Sequence, residues 1–261
     1  MLKIFPDLNS SLRERVHTCF LASLNDHLDL IVSTSPAEQK EPLRLFPEFY
    51  HMGLLADPGP VSTRAFVVTE FIRGESLWQF HAANPLDVAG RKSEVKTILS
   101  IFAQILAGLK KVHELTGFLH LDLHPGNIMV STEIWPHGTL LDTKTSRFPE
   151  RQTDIGGTPR IRLIDPGCSG FTKIKDAMQP EPESLQRKIT KVLYSRSWRS
   201  VWKYWLQGGI FRDPRGNPDI IMWSIMAREV LFNEMHLPLT QKVLGCTDYD
   251  TCLDELFSFD F

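Results

Sequence analysis

The chain has 261 residues, of which 42% are hydrophobic and 23% charged, enough for one large domain or two modest lobes with ordinary globular composition. A formal net charge of −2 gives no reason for nucleic acid or an anionic membrane surface to be the main partner. Pro6 and Asp7 interrupt any secretory apolar region, and no uncharged apolar run approaches the length of a membrane span, so a cytoplasmic, intracellular protein is expected.

Leu2-Lys3-Ile4-Phe5 reads as a short strand that Pro6-Asp7 breaks. Ser10 or Ser11 could cap a following helix through Leu12, Val16, Phe20 and Leu24. Ser33–Leu43, polar and carrying Pro36 and Pro42, reads as a loop. Strand-like runs at Tyr50–Leu55 and Ala65–Phe71 flank the turn-rich Asp57-Pro58-Gly59-Pro60. Glu75-Ser76-Leu77 is expected to begin a short helix. From about Glu94 to Glu114 the apolar residues Val95, Ile98, Leu99, Phe102, Ile105, Leu106, Leu109 and Val112 follow three-and-four spacing, which predicts a helix ended by Gly117.

Phe118–Val130 has the pattern of a strand end, a tight loop and a second strand. Ser131–Pro159, long and polar, reads as a surface excursion, partly disordered. Arg160–Ile164 alternates like a strand and delivers Asp165-Pro166-Gly167 at its end. Helices are expected over Ser184–Leu206, Asp219–Glu234 and Asp248–Phe257. In the first of these, Trp198, Trp202 and Trp205 recur at helical spacing, as in an amphipathic helix that buries them. The cysteines Cys19, Cys168, Cys246 and Cys252 lack C-x-x-C spacing, so reduced buried thiols are expected rather than a disulfide framework or zinc knuckle.

Phosphoryl transfer requires a carboxylate to orient or deprotonate the acceptor and oxygen ligands to hold Mg²⁺ on the nucleotide phosphates. Asp122 and Asn127 lie five positions apart in a loop held by Pro125 and Gly126, a spacing that can aim both side chains into one cleft. Asp165 follows the next apolar strand, so two neighbouring strand ends would present a base, an amide and a carboxylate together.

His120-Leu121-Asp122-Leu123-His124-Pro125-Gly126-Asn127 resembles the catalytic loop of the protein kinase-like superfamily, H-x-D-x-x-x-x-N. Its second histidine and Pro-Gly are especially like aminoglycoside and choline phosphotransferases and the atypical UbiB-type kinases. Arg162–Gly167 is similar to the family's metal-binding D-F-G strand, and Phe66–Leu77 to its last N-lobe strand running into the hinge. These blocks, with the helix from Glu94, stand in family order over roughly residues 66–170.

The resemblance implies a two-lobed α+β fold: a reduced, β-rich N-lobe over 1–72 and a mainly helical C-lobe over 73–261. The C-lobe would hold the catalytic loop 118–130, the insert 131–159 and the metal-binding strand 160–167. It further implies Asp122 as catalytic base, Asn127 and Asp165 as Mg²⁺ ligands, His120 bracing the loop and His124 near the γ-phosphate. Main-chain groups of Glu70 and Ile72 would hold adenine, with Thr69 beside the pocket. ATP and Mg²⁺ are the implied cofactors, and a hydroxyl of a protein or small molecule is the implied acceptor.

The pattern also departs from the family. Lys3 is the only well-placed lysine for the phosphates, and a glycine-rich loop would have to precede it. Glu14, eleven positions on, is the nearest helix glutamate for an ion pair, closer than the family norm. Leu121 and Pro166 replace the usual arginine and phenylalanine, 38 positions separate Asn127 from Asp165, and no A-P-E follows. A pseudokinase, binding nucleotide or acting as a scaffold without turnover, is therefore the alternative. In a third reading His120, Asp122 and His124 are metal ligands of a hydrolase, but this leaves Asn127 and Asp165 unexplained. Asp219 could be the family's structural aspartate beneath the catalytic loop or simply a helix N-cap.

Overall fold

A computed structural model describes residues 1–5, 8–33, 41–56, 63–83, 92–171, 217–231, 246 and 248–258. Strand β1 (Leu2–Phe5) leads to helix α1 (Leu8–Leu24), which starts two residues before the expected Ser10 cap. β2 (Ile31–Ser33), β3 (Phe49–Ala56) and β4 (Thr63–Thr69) follow. β1, β4 and β3 form an antiparallel sheet in that order, in which Lys3 and Met52 both flank Val67. One face of this sheet holds a small core of Phe5, Ala65 and Val67, with Phe49 against it. β4 ends at Thr69, before the expected Phe71, which is 72% exposed.

The expected helix start at Glu75 is corrected to a strand, β5 (Gly74–Ser76), which pairs with Ser131–Met129. Gly74 permits the pairing, because a Cβ there would stand 2.0 Å from the Val130 carbonyl oxygen. Helix α2 (Leu77–Ala83) starts only afterwards. Ser76 Oγ accepts from Gln79 N, while Gln79 Oε1 accepts from Ser76 N at 3.0 Å, a reciprocal cap.

Helix α3 (Lys92–Thr116) is the centre of the main core: Ile101, Phe102, Ile105, Leu106, Leu109 and Val112 are fully buried. It ends where Gly117, at φ 69°, donates its N–H to the His113 carbonyl. β6 (Phe118–Leu119) and β7 (Ile128–Ile134) flank the loop that carries Asp122.

Ser131–Pro159 is not a disordered excursion. β7 runs into it, and β8 (Thr139–Asp142) and β9 (Gln152–Asp154) form an antiparallel sheet with β2 in the order β2-β8-β9. Leu141 and Ile155 are fully buried. Trp135 donates Nε1–H to Gln104 Oε1 at 3.0 Å, with the Arg160 guanidinium 4.4 Å over its ring. Gln104 in turn donates to the Pro159 carbonyl at 2.9 Å, which locks the insert to α3.

β10 (Pro159–Leu163) pairs with β7, and β11 (Gly170–Phe171) pairs with β6. Helices α4 (Pro218–Leu231) and α5 (Tyr249–Leu256) close the core, with Asp248 capping α5 at Thr251 N. The fold class is α+β, as expected, and the larger core extends from Leu21 in α1 to Leu256 in α5. Cys19, Cys246 and Cys252 are in no disulfide, and the latter two are buried. The expected helix Ser184–Leu206, with its three tryptophans, lies outside the described residues. Among the described residues, no helix is long and apolar enough to cross a membrane.

Candidate active site

β6 ends at Leu119, and the chain turns sharply through Leu121, whose φ of 61° is left-handed. Such a backbone is unfavourable for a leucine by about 1–2 kcal/mol, so the surroundings must hold it. Asp219, at the start of α4, does this. Its two carboxylate oxygens accept the N–H groups of His120 at 2.7 Å and Leu121 at 2.9 Å. Asp219 is completely buried, and burial raises its pKa against the opposing pull of His120 and these two N–H bonds. The N-cap of α4 is Asn217 instead, whose Oδ1 accepts from Asp219 N. Asp219 is therefore a support beneath the loop.

His120 is buried at 1% exposure, and its Nε2 lies 3.2 Å from the Ile164 carbonyl. A carbonyl only accepts, so Nε2 carries the proton. Burial pushes the imidazole pKa down, more strongly than the carboxylates of Asp219, Asp122 and Asp165 raise it. Beyond the turn, Asn127 donates Nδ2–H to Asp122 O at 2.9 Å and to Asp122 Oδ2 at 3.2 Å. The intervening turn is closed by His124, whose Nδ1 accepts from Gly126 N, and His124 Nε2 stands 3.9 Å from Asp122 Oδ2. Asp122 and His124 remain accessible, with side chains 35% and 53% exposed.

The β7–β10 pairing brings the second half of the site alongside. Leu163 faces Ile128, and Ile164 N donates to Asn127 O at 2.9 Å, so Asp165 emerges beside Gly126 and Asn127. Asp165 is itself left-handed, at φ 57° and ψ 64°, a conformation that aspartate tolerates better than leucine does. Opposite it stands Lys3 on β1. Its Nζ lies 2.5 Å from Glu14 Oε1 and 3.3 Å from Asp165 Oδ1.

The two partners of this ion pair shift in senses that a simple pair would not produce. Burial alone would lower the Lys3 ammonium, but Glu14 and Asp165 outweigh it and the pKa rises. For Glu14 burial dominates and the pKa also rises, although Lys3 opposes the change. The asymmetry has a structural cause: Glu14 is the deeper group, 14% exposed against 36% for Lys3, and it faces a second carboxylate in Asp165.

Lys3, Glu14 and Asp165 stand at one side of a cavity of about 290 Å³ whose other walls are mainly apolar, among them Leu21, Phe46, Val67 and Leu163. Thr69 lines it too, and its buried Oγ1 has no hydrogen-bond partner among the described residues. Glu70 and Ile72, expected to meet adenine, are not among the lining residues. The Glu70 N–H donates to Glu48 O, and its carboxylate accepts from Glu48 N and from Arg162 Nε at 3.4 Å. Of its main-chain groups, only the carbonyl is left for a base.

The donors near the loop are of the oxygen type that suits a hard cation. With Nδ2 of Asn127 engaged by Asp122, Oδ1 is the atom left for a cation, and Asp165 adds a carboxylate on the adjacent strand end. The H-x-D-x-H hydrolase arrangement does not form, because His120 turns into the core and His124 into its own turn. Among the described residues, no group of three or more His, Cys, Asp or Glu could hold a metal ion. No local sequence pattern singles out His17 or Ser169, which meet behind Asp165 at 2.7 Å. His17 carries the signal of lying one turn beyond Glu14; Ser169 carries none.

No known family matches the sequence, and no curated protein is significantly similar to it. Among solved structures, the crystal structure of a kinase domain matches at 16% identity over 69% of this chain, with a TM-score of 0.37. The match spans 45% of that domain's length.

Proposed function

We propose that this chain is an ATP- and Mg²⁺-dependent phosphotransferase acting on a hydroxyl acceptor. The observation that carries the reading is the contact of one lysine with two carboxylates from remote segments: Lys3 with Glu14 on α1 and with Asp165 at the end of β10. That arrangement lines an otherwise mainly apolar cavity and lies one strand away from the Asp122–Asn127 loop.

In this reading Asp122 accepts a hydrogen bond from the acceptor hydroxyl and takes its proton as the oxygen–phosphorus bond forms. The bond from the γ-phosphorus to its bridging oxygen breaks, and ADP departs. Asn127 positions Asp122 through Nδ2 and, with Asp165, would hold Mg²⁺, which supplies charge neutralisation on the phosphates. Lys3 binds phosphate oxygens and is oriented by Glu14. His124 lies within reach of Asp122, where its imidazole can orient the transferring group. The apolar cavity wall takes the base, with Thr69 Oγ1 as a polar contact.

One contact favours a second reading. Lys3 already sets a fixed positive charge 3.3 Å from Asp165, the carboxylate a metal ion needs. A scaffold that binds nucleotide without turnover would retain this contact. Steady-state ATP turnover with a panel of hydroxyl acceptors separates the two. The phosphotransferase reading expects turnover, and Asp122→Asn should reduce it by about 10²–10⁴-fold, the usual contribution of a general base. Undiminished turnover in that variant would contradict the assignment, and ATP-induced stabilisation without turnover would support the scaffold.

A further inference from the structure

Glu14 is useful to Lys3 only if α1 is held at the right distance from Asp165, and α1 reaches the Asp165 segment through a buried polar contact at His17. His17, one turn beyond Glu14, is fully buried, and its Nδ1 lies 2.7 Å from Ser169 Oγ and 3.4 Å from the Pro166 carbonyl. Ser169 donates its own hydroxyl proton to that same carbonyl at 2.7 Å. With this proton engaged, the hydrogen on the 2.7 Å contact belongs to His17 Nδ1, which donates to Ser169 Oγ and leans towards Pro166 O.

Both acceptors belong to the turn immediately after Asp165, Pro166–Cys168 and Ser169. The rings of His17 and Phe20 both meet Phe171 in T-shaped contacts, with centroids 5.2 and 5.0 Å apart. Glu14, His17 and Phe20 thus form one face of α1, applied along the segment from Asp165 to Phe171. Gly167 lies alongside Glu14, whose Oε2 would be in ordinary van der Waals contact, at 3.4 Å, with a Cβ at that position.

We propose that His17 is a positioning residue: its Nδ1–H bond to Ser169 clamps α1 to the Asp165 turn and thereby sets the Lys3–Glu14–Asp165 arrangement for phosphate binding. The clamp touches no nucleotide. It fixes the span between the residue that orients the lysine and the residue that holds the metal. The proposal rests on the nucleotide-binding reading, and its test has one arm independent of that reading.

His17→Phe keeps a ring edge against Phe171 and deletes the donor, while Ser169→Ala deletes the acceptor. His17→Asn restores an N–H near the position of Nδ1. In the full chain, each deletion should weaken ATP·Mg²⁺ binding about tenfold, equivalent to ~1.4 kcal/mol, and the double variant should be no worse than either single one. Adenosine, which lacks the phosphates, should bind as it does to the wild type, and His17→Asn should recover most of the ATP affinity. Unchanged ATP affinity in both single variants, strictly additive losses, or equal losses for adenosine would overturn the clamp. If the wild type binds no ATP, the functional reading fails, and amide exchange in the nucleotide-free protein decides the clamp alone. Faster exchange of α1 in His17→Phe and Ser169→Ala than in the wild type supports it, and unchanged exchange refutes it.

Discussion

Leu121 and Asp165 are the non-glycine residues with left-handed backbone among those described, and both stand in the candidate site. Strain of this kind persists where surrounding contacts over-determine it. For Leu121 the contacts are the two N–H bonds to Asp219, so Asp219→Ala would leave two buried donors without an acceptor. A loss of about 2–6 kcal/mol in urea unfolding is expected, since each such orphan costs roughly 1–3 kcal/mol. His120 makes a separate, pH-dependent prediction. Its folded pKa is below the ordinary value because it is buried, so the unfolded chain binds the proton more readily. Its contribution to stability is complete above about pH 6.5 and is lost as the pH falls from there towards the folded value. His120→Gln should reduce the slope of stability against pH below about 6.5 by at most ~1.4 kcal/mol per unit, measured by urea titrations at several pH values. The loop motif was legible in sequence because its chemistry is encoded by neighbours: His120, Asp122 and Asn127 fall within eight residues. Asp219 was readable only as an alternative, since an aspartate before an apolar helix serves as a cap far more generally. The partnership of His17 with Ser169 spans 152 positions and depends on packing that no local pattern carries.

At the scale of elements, α3 was the most readable, because a strong three-and-four periodicity with a terminal glycine has one simple solution. The insert was misread for the opposite reason. Its strands are short and carry at most two apolar residues, two in Thr139-Leu140-Leu141-Asp142 and none in Gln152-Thr153-Asp154. Locally this resembles a loop; the strands are specified by pairing with β2 and by Trp135, which is 2% exposed. Trp135→Ala should therefore behave as a core mutation and lower stability by about 3–5 kcal/mol in urea unfolding. A change under about 0.5 kcal/mol, typical of surface substitutions, would return the segment to the surface. β5 was mistaken for helix because Glu75-Ser76-Leu77 leads into α2, while the deciding interaction, Gly74 lying on the Val130 backbone, comes from a distant strand.

Across the whole molecule, the site is assembled where two cores meet. The β1-β4-β3 sheet, with its small core, supplies Lys3 and Thr69, while strands and helices of the larger core supply Glu14, Asp122, Asn127, Asp165 and Asp219. Nothing in a single segment predicts that Lys3 would reach Asp165, yet one antiparallel sheet, one helix and one turn suffice to bring them within 3.3 Å. The most direct test of the account is a calorimetric titration of ATP into the full chain, with and without Mg²⁺, for the wild type and for Asp165→Asn. The account predicts saturable binding by the wild type that tightens when Mg²⁺ is present, with the Mg²⁺-dependent part lost in Asp165→Asn. Absence of ATP binding by the wild type, or an equal response to Mg²⁺ in both proteins, would contradict it.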